Sequence, residues 1–188
     1  MFAKADKKLL RSLSRKKNRL EAQLFIAEGP KVVADLLAAG LAPHAIWSTS
    51  PEIWPQAKSI SDSELQQISQ LSTAHEVIAI FPFLKESGRL SSRVLVLDQI
   101  NDPGNLGTLI RTADWFGFHT VWCMPGTTDL YNSKTVQSTM GSLARVQVLR
   151  GTMEELRDKL GDYQFYLADM AGTPLHRCQP AAHRKIAL

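Results

Sequence analysis

From Val94 onward the apolar positions switch regularly between two periods. Val94-Leu95-Val96-Leu97 is a short continuous apolar run, the pattern of a buried strand. The next stretch changes period. Leu106, Leu109, Ile110, Ala113 and Phe116 recur at three- and four-residue spacing, which predicts a helix over 105–116 with one core face. Asp102-Pro103-Gly104 is a turn signal, Asn105 an N-cap candidate and Gly117 a C-terminal cap. The alternation continues with strand 119–124, a turn at Pro125-Gly126, helix 133–143 and strand 146–149. Thr152-x-x-Glu155 caps a further helix to about Leu160, and Tyr163 to Ala168 form the next strand. Strands and helices in this order imply right-handed crossovers and a parallel sheet. The loops 98–105, 125–133 and 168–174 then share the carboxyl edge, where such sheets hold ligands.

Residues 1–83 read as a separate small α/β unit. A basic helix containing Leu9, Leu10 and Leu13 leads to a strand at Leu24–Ala27 and a turn at Glu28-Gly29. Pro30 occupies the first position of a helix whose buried face is Val32, Val33, Leu36 and Leu37, ended by Gly40. Ala45-Ile46-Trp47 is a strand, 50–57 a loop, and Ser61-x-x-Glu64 a capping box opening a helix through Leu65, Ile68 and Leu71. Glu76–Phe81 closes the unit as a strand. Residues 84–93 are polar and form the linker, leaving 94–188 as the parallel-sheet domain.

Composition adds little until charge is resolved along the chain. The 188 residues are 44% hydrophobic and 21% charged, ordinary for a globular protein. No apolar run approaches membrane-spanning length, and the basic N-terminus lacks the apolar core of a secretory signal, so the cytoplasm is the expected location. Cys123 lies in the apolar run 121–124 and reads as a buried, inert thiol. His176, Cys178 and His183 stand in a polar connector that reads as a surface loop, and no metal is expected. The net charge of +4 is local in origin. Lys4, Lys7, Lys8, Arg11, Arg15, Lys16, Lys17 and Arg19 face only Asp6 within residues 1–19, which leaves the remainder net negative. Such a block is either a solvated tail or a set of phosphate contacts, and its overlap with a helix favours RNA.

No G-x-G-x-x-G or P-loop sequence occurs. Instead Arg111 falls on helix 105–116 beside Thr108, Thr112 and Trp115, away from the core stripe. A cation held just beyond a strand end is placed to meet an anion. The residues Asn105-x-Gly107-x-x-x-Arg111-x-Ala113 resemble the first motif of the SpoU/TrmH-type RNA ribose 2′-O-methyltransferases of the SPOUT superfamily. Residues 133–146, which include Lys134, Thr139-Met140-Gly141 and Arg145, resemble the second.

That resemblance implies a knotted parallel-sheet catalytic domain, with S-adenosylmethionine as methyl donor and RNA as acceptor; the basic N-terminal extension with its accessory domain suggests ribosomal over transfer RNA. It implies catalytic roles for Arg111 and Asn105, phosphate contacts by Lys134 and Arg145, and cofactor contacts at Gly141 and at Leu167-Ala168-Asp169. Phe25-x-x-Glu28-Gly29-x-Lys31 resembles the start of the family's substrate-binding domain, which has a ribosomal-protein-like fold. A homodimer is expected of the full-length protein. Arg184–Leu188 looks like the start of another strand, ahead of the family's third motif; a domain incomplete at that point should bind cofactor poorly and lack activity. The alternative readings are a transfer-RNA enzyme and a non-catalytic RNA-binding protein of the same fold.

Overall fold

The computed structural model describes residues 3–71, 73–177 and 185–188. Two sheets organise the chain. The first has the order β1 (Leu24–Glu28), β4 (Val77–Pro82), β2 (Ala45–Ser48), β3 (Lys58–Ser59). β4 runs antiparallel to both β1 and β2, and β3 is parallel to β2. The period-two pattern of β1 and β4 separates two buried faces. Ile26, Ile78 and Ile80 join Trp47 beneath α1 (Lys4–Ser12) and α4 (Asp62–Ile68), through Leu10, Leu13, Leu65 and Ile68. Phe25, Ala27, Val77, Ala79 and Phe81 face the other way, toward Val32, Val33 and Leu36 of α3 (Pro30–Ala38).

The second sheet is parallel throughout, in the order β7 (Gln147–Arg150), β6 (Thr120–Cys123), β5 (Arg93–Leu97), β9 (Ile186–Ala187), β8 (Gln164–Phe165). The expected last strand is present and slots between β5 and β8, with Leu188 N–H donating to Val94 O at 3.0 Å. On one face lie α5 (Pro103–Trp115) and α6 (Ser133–Thr139); on the other, α7 (Met153–Leu160) covers Val94, Trp122 and Leu149. Among the described residues no helix is long and apolar enough to cross a membrane.

Several boundaries differ from the sequence expectation. The basic N-terminus forms two helices, α1 and α2 (Lys16–Ala22), because the Arg19 guanidinium takes the Leu13 and Ser14 carbonyls at 2.6 and 2.8 Å and ends the first. The two-residue β3 lies just beyond the expected loop 50–57. α6 stops at Thr139, since Met140 and Gly141 turn left-handed (φ 49° and 85°) before a short 3₁₀ turn at Ser142–Ala144. β8 ends at Phe165; Tyr166 N–H still donates to Ala187 O at 2.8 Å, and Leu167, Ala168 and Asp169 follow the strand, exposed.

The apolar cluster of the first sheet continues without a break into α5, α6 and the second sheet. Tyr131 stacks on Phe83 at 3.8 Å between ring centroids and tilts against Phe25 at 4.9 Å. Its hydroxyl accepts the Leu84 N–H at 3.0 Å, and burial pushes its pKa up to about 12. Residues 87–91 lie along the amino edge of the second sheet, where Gln147 accepts from Ser87 N–H at 2.7 Å and Ser91 N–H donates to Thr120 Oγ1 at 3.0 Å.

Two predictions test this packing. A Cβ at Gly107 would lie 2.5 Å from the Thr135 carbonyl and 2.6 Å from Ser138 Cβ, so Gly107→Ala must part α5 from α6. Alanine is the better helix former by about 1 kcal/mol, yet overpacking should prevail and lower stability by about 1–3 kcal/mol in denaturant unfolding. Glu28, 5% exposed, accepts from Ser69 Oγ at 2.5 Å and from Gln70 N–H at 2.8 Å. Burial nonetheless raises its pKa above the ordinary 4.5, overriding these hydrogen bonds. A raised carboxyl holds its proton longer in the folded state, so its contribution to stability falls as pH rises from the ordinary value through the raised one. Glu28→Gln should flatten that part of the stability–pH curve, measured by thermal unfolding across weakly acidic to neutral pH.

Candidate active site

β5 delivers the chain to the carboxyl edge at Leu97, and the loop that follows opens α5. Asp102, not Asn105, is the N-cap: its carboxylate accepts the Asn105 N–H at 2.8 Å, with Pro103 at the first helical position. Asn105 therefore sits inside the first turn with its side chain exposed. Leu106, Gly107, Ile110 and Ala113 are buried as the periodicity requires, whereas Phe116, expected in the core, is 61% exposed. It stands at the C-cap, where the helix has already turned out of register with the core. Gly117 (φ 73°) then closes the helix, with Phe118 N–H donating to Ala113 O at 2.8 Å, as expected.

The opposite face of α5 presents Asn105, Thr108, Arg111, Thr112 and Trp115, all exposed. Arg111 makes no hydrogen bond or ion pair among the described residues. Its neighbours in the charge pattern behave differently. Lys134, at the start of α6, pairs with Asp102 at 2.9 Å, and that hydrogen bond holds the Asp102 carboxyl below its usual range. Arg145 donates from Nε and one terminal nitrogen to Asp114 of α5 at 2.9 and 2.7 Å, and lies 3.8 Å from Asp35 of α3. Burial pushes the Asp114 carboxyl up, but the bonds from Arg145 and Ser142 outweigh it and leave it lowered. Arg145 thus joins α3 and α5 through the 3₁₀ turn.

Of the basic block, Lys4, Lys8, Arg11, Arg15, Lys16 and Lys17 are exposed, and Lys7 is half-buried, donating to Gln67. Arg19 corrects the expectation. It is 4% exposed and paired at 2.6 Å with Asp129, so it cannot reach a phosphate. Glu28 is tied to the residues just beyond α4, a structural role.

The loops after β5 and β6 meet at the carboxyl edge. Thr128 N–H donates to Ile100 O at 2.8 Å, and Arg150 holds the Thr127 carbonyl at 3.1 Å. Beyond β8, Leu167 (87% exposed), Ala168 and Asp169 form an open ledge, with Asp169 accepting the Ala171 N–H. Beside it the buried Tyr166 hydroxyl has no partner among the described residues. The segment follows the carboxyl end of β8, the edge at which parallel sheets hold ligands. Gly141 does not belong to that ledge: its backbone presses on the Asp35 side chain, which a Cβ there would strike. Among the described residues no side-chain cluster could hold a metal; Cys178 and His183 lie outside them.

Residues 92–188 match the model of the SpoU rRNA methylase family, and residues 6–79 match the MRM3-like substrate binding domain. The 23S rRNA (guanosine(2553)-2′-O)-methyltransferase of Bacillus subtilis is 29% identical over 157 residues, covering 80% of this chain and 63% of that protein. The mitochondrial rRNA methyltransferase 3B of Danio rerio is 29% identical over 150 residues, covering 70% of this chain and 34% of that one. The chain thus spans less than two thirds of the length of either relative. Among solved structures, a TrmH-family RNA methyltransferase of Porphyromonas gingivalis superposes with a TM-score of 0.82 at 30% identity, covering all of this chain and 80% of that one. An rRNA methyltransferase of Sinorhizobium meliloti, also solved with AdoMet bound, gives 0.83 in that form at 26% identity, covering all of this chain and 78% of that one. With more than half of its residues matched by the family model, the chain belongs to the SpoU rRNA methylase family.

Proposed function

We propose that the protein carrying this chain transfers a methyl group from S-adenosylmethionine to a ribose 2′-hydroxyl of structured ribosomal RNA. The observation that carries the reading is Arg111, a guanidinium that is exposed and, among the described residues, unpaired, on the outward face of α5, the helix that packs against α6 of the second motif segment. Residues 1–83 grip the RNA, 84–93 connect, and 94–188 carry the site. Ribosomal RNA is preferred over transfer RNA because the relatives from Bacillus subtilis and Danio rerio are named for ribosomal RNA, and because the basic block suits a large polyanion. Trp115 and Phe116, 85% and 61% exposed, offer a surface for the expected homodimer.

When bound, S-adenosylmethionine supplies an electrophilic methyl on a sulfonium, and the ledge at Leu167-Ala168-Asp169 beside Tyr166 would hold it. A guanidinium offers five N–H donors and no acceptor, so Arg111 does not serve as a general base. It clamps a phosphate of the RNA through two parallel N–H donors and stabilises negative charge developing on the ribose oxygen. A phosphate oxygen or water takes the hydroxyl proton. Asn105, on the same exposed face, orients the ribose or Arg111. Lys134 and the exposed lysines and arginines of α1 and α2 add phosphate contacts. Arg145 can add one only through the part of its guanidinium that its carboxylate partners leave exposed.

Arg111→Ala should reduce methyl transfer to deproteinised ribosomal RNA at least about a hundredfold, the scale of losing one charge-stabilising donor. Labelled methyl incorporation measures it, and near-normal transfer by the variant contradicts the assignment.

A further inference from the structure

Arg19 belongs to the basic block by sequence and to the interior by geometry. Its side chain is 5% exposed and meets Asp129, 17% exposed, at 2.6 Å. The other arm of the guanidinium holds the Leu13 and Ser14 carbonyls. One side chain therefore ties together the end of α1, the body of α2 and the loop after β6. That loop is fixed in turn: Asp129 accepts the Tyr131 N–H at 3.1 Å through its carboxylate and the Thr135 hydroxyl at 3.0 Å through its carbonyl. Thr128 N–H reaches Ile100 O, in the loop that ends at the Asp102 cap of α5. Direct contacts thus run from the basic helices to the helix that carries Arg111.

A buried ion pair is a poor way to gain stability, because desolvation offsets most of the attraction. Here the Arg19 Nε is also buried with no partner among the described residues, a further cost. What an apolar pair could not supply is one fixed geometry for three segments. We infer that Arg19 is a positioning residue: through Asp129 it sets the spacing between the exposed cations of α1–α2 and Arg111, so that a single folded RNA engages both surfaces at once. The inference rests on the RNA-methylation reading above. Two surfaces held at a set spacing bind as a bivalent unit, and loosening them lowers the effective concentration of the second contact without removing any contacting group.

The test is a binding titration with deproteinised bacterial large-subunit ribosomal RNA at low and moderate salt. Asp129→Asn removes a negative charge, so simple electrostatics makes RNA binding equal or tighter; the positioning role makes it weaker, by about tenfold, within the range of coupled contacts. In an Arg111→Ala background, where one surface is already lost, the same substitution should cost less than about twofold, because coupled sites are not additive. Should Asp129→Asn fail to fold, Arg19→Lys serves. It keeps the charge but cannot span three acceptors, and it too should weaken binding by about tenfold. Affinity unchanged or raised in the variant that folds overturns the inference, as does a penalty that multiplies fully with Arg111→Ala, which would mark a merely structural pair. If the unaltered protein shows no salt-dependent RNA binding, the RNA reading falls and the inference with it. Loss of positioning alone leaves the unaltered protein's binding intact.

Discussion

The contact between α5 and α6 at Gly107 decides where everything else in the candidate site can be. With a hydrogen in place of a side chain, the backbone of one helix rests on the Thr135 carbonyl and Ser138 of the other. Two segments separated along the chain by β6 are thereby joined, and Asp102 and Lys134 close the junction at its open end. The glycine of the first motif is thus a packing residue, quite unlike the phosphate-cradling glycine of a dinucleotide loop. α5 buries one stripe against the sheet and offers the other, with Arg111, to solvent.

Charge in the sequence and charge available to a partner differ sharply in this protein. Arg19 and Arg145 are spent on carboxylates that hold segments together, and Lys134 is shared with a cap. Arg111 has no such obligation among the described residues, and the outward cations of α1 and α2 have at most a loose partner, as Lys17 has in Glu21 at 3.8 Å and Lys7 in Gln67. The continuous core beneath them, with Tyr131 between Phe25 and Phe83, places the basic helices and the carboxyl edge on one frame. A polyanion meeting that frame encounters fixed cations at two places.

Local chemistry made much of this legible. The capping boxes at Ser61/Glu64 and Thr152/Glu155 form as written, Gly117 ends its helix, and the parallel order follows from alternating periods. Failures arose where a partner far along the chain decides the outcome. Nothing near Arg19 reveals Asp129, 110 positions away, and nothing near Gly141 reveals Asp35. Asn105 suits a cap by residue type, but Pro103 prefers the first helical position and moves the cap to Asp102. The pattern at 163–168 is strand-like, and among the described residues Gln164 and Phe165 pair with Ile186 and Ala187, partners that local pattern does not name. The exposure of Arg111, by contrast, was readable from helical spacing alone, because it depends only on which face the core takes.

The most direct test of the central claim is a titration of the arginine Nε–H resonances with deproteinised ribosomal RNA, assigned through Arg111→Lys and Arg19→Lys. The Arg111 signal should shift and saturate with RNA while the buried Arg19 signal stays close to its free position. A stationary Arg111 signal alongside a large shift at Arg19 would contradict it.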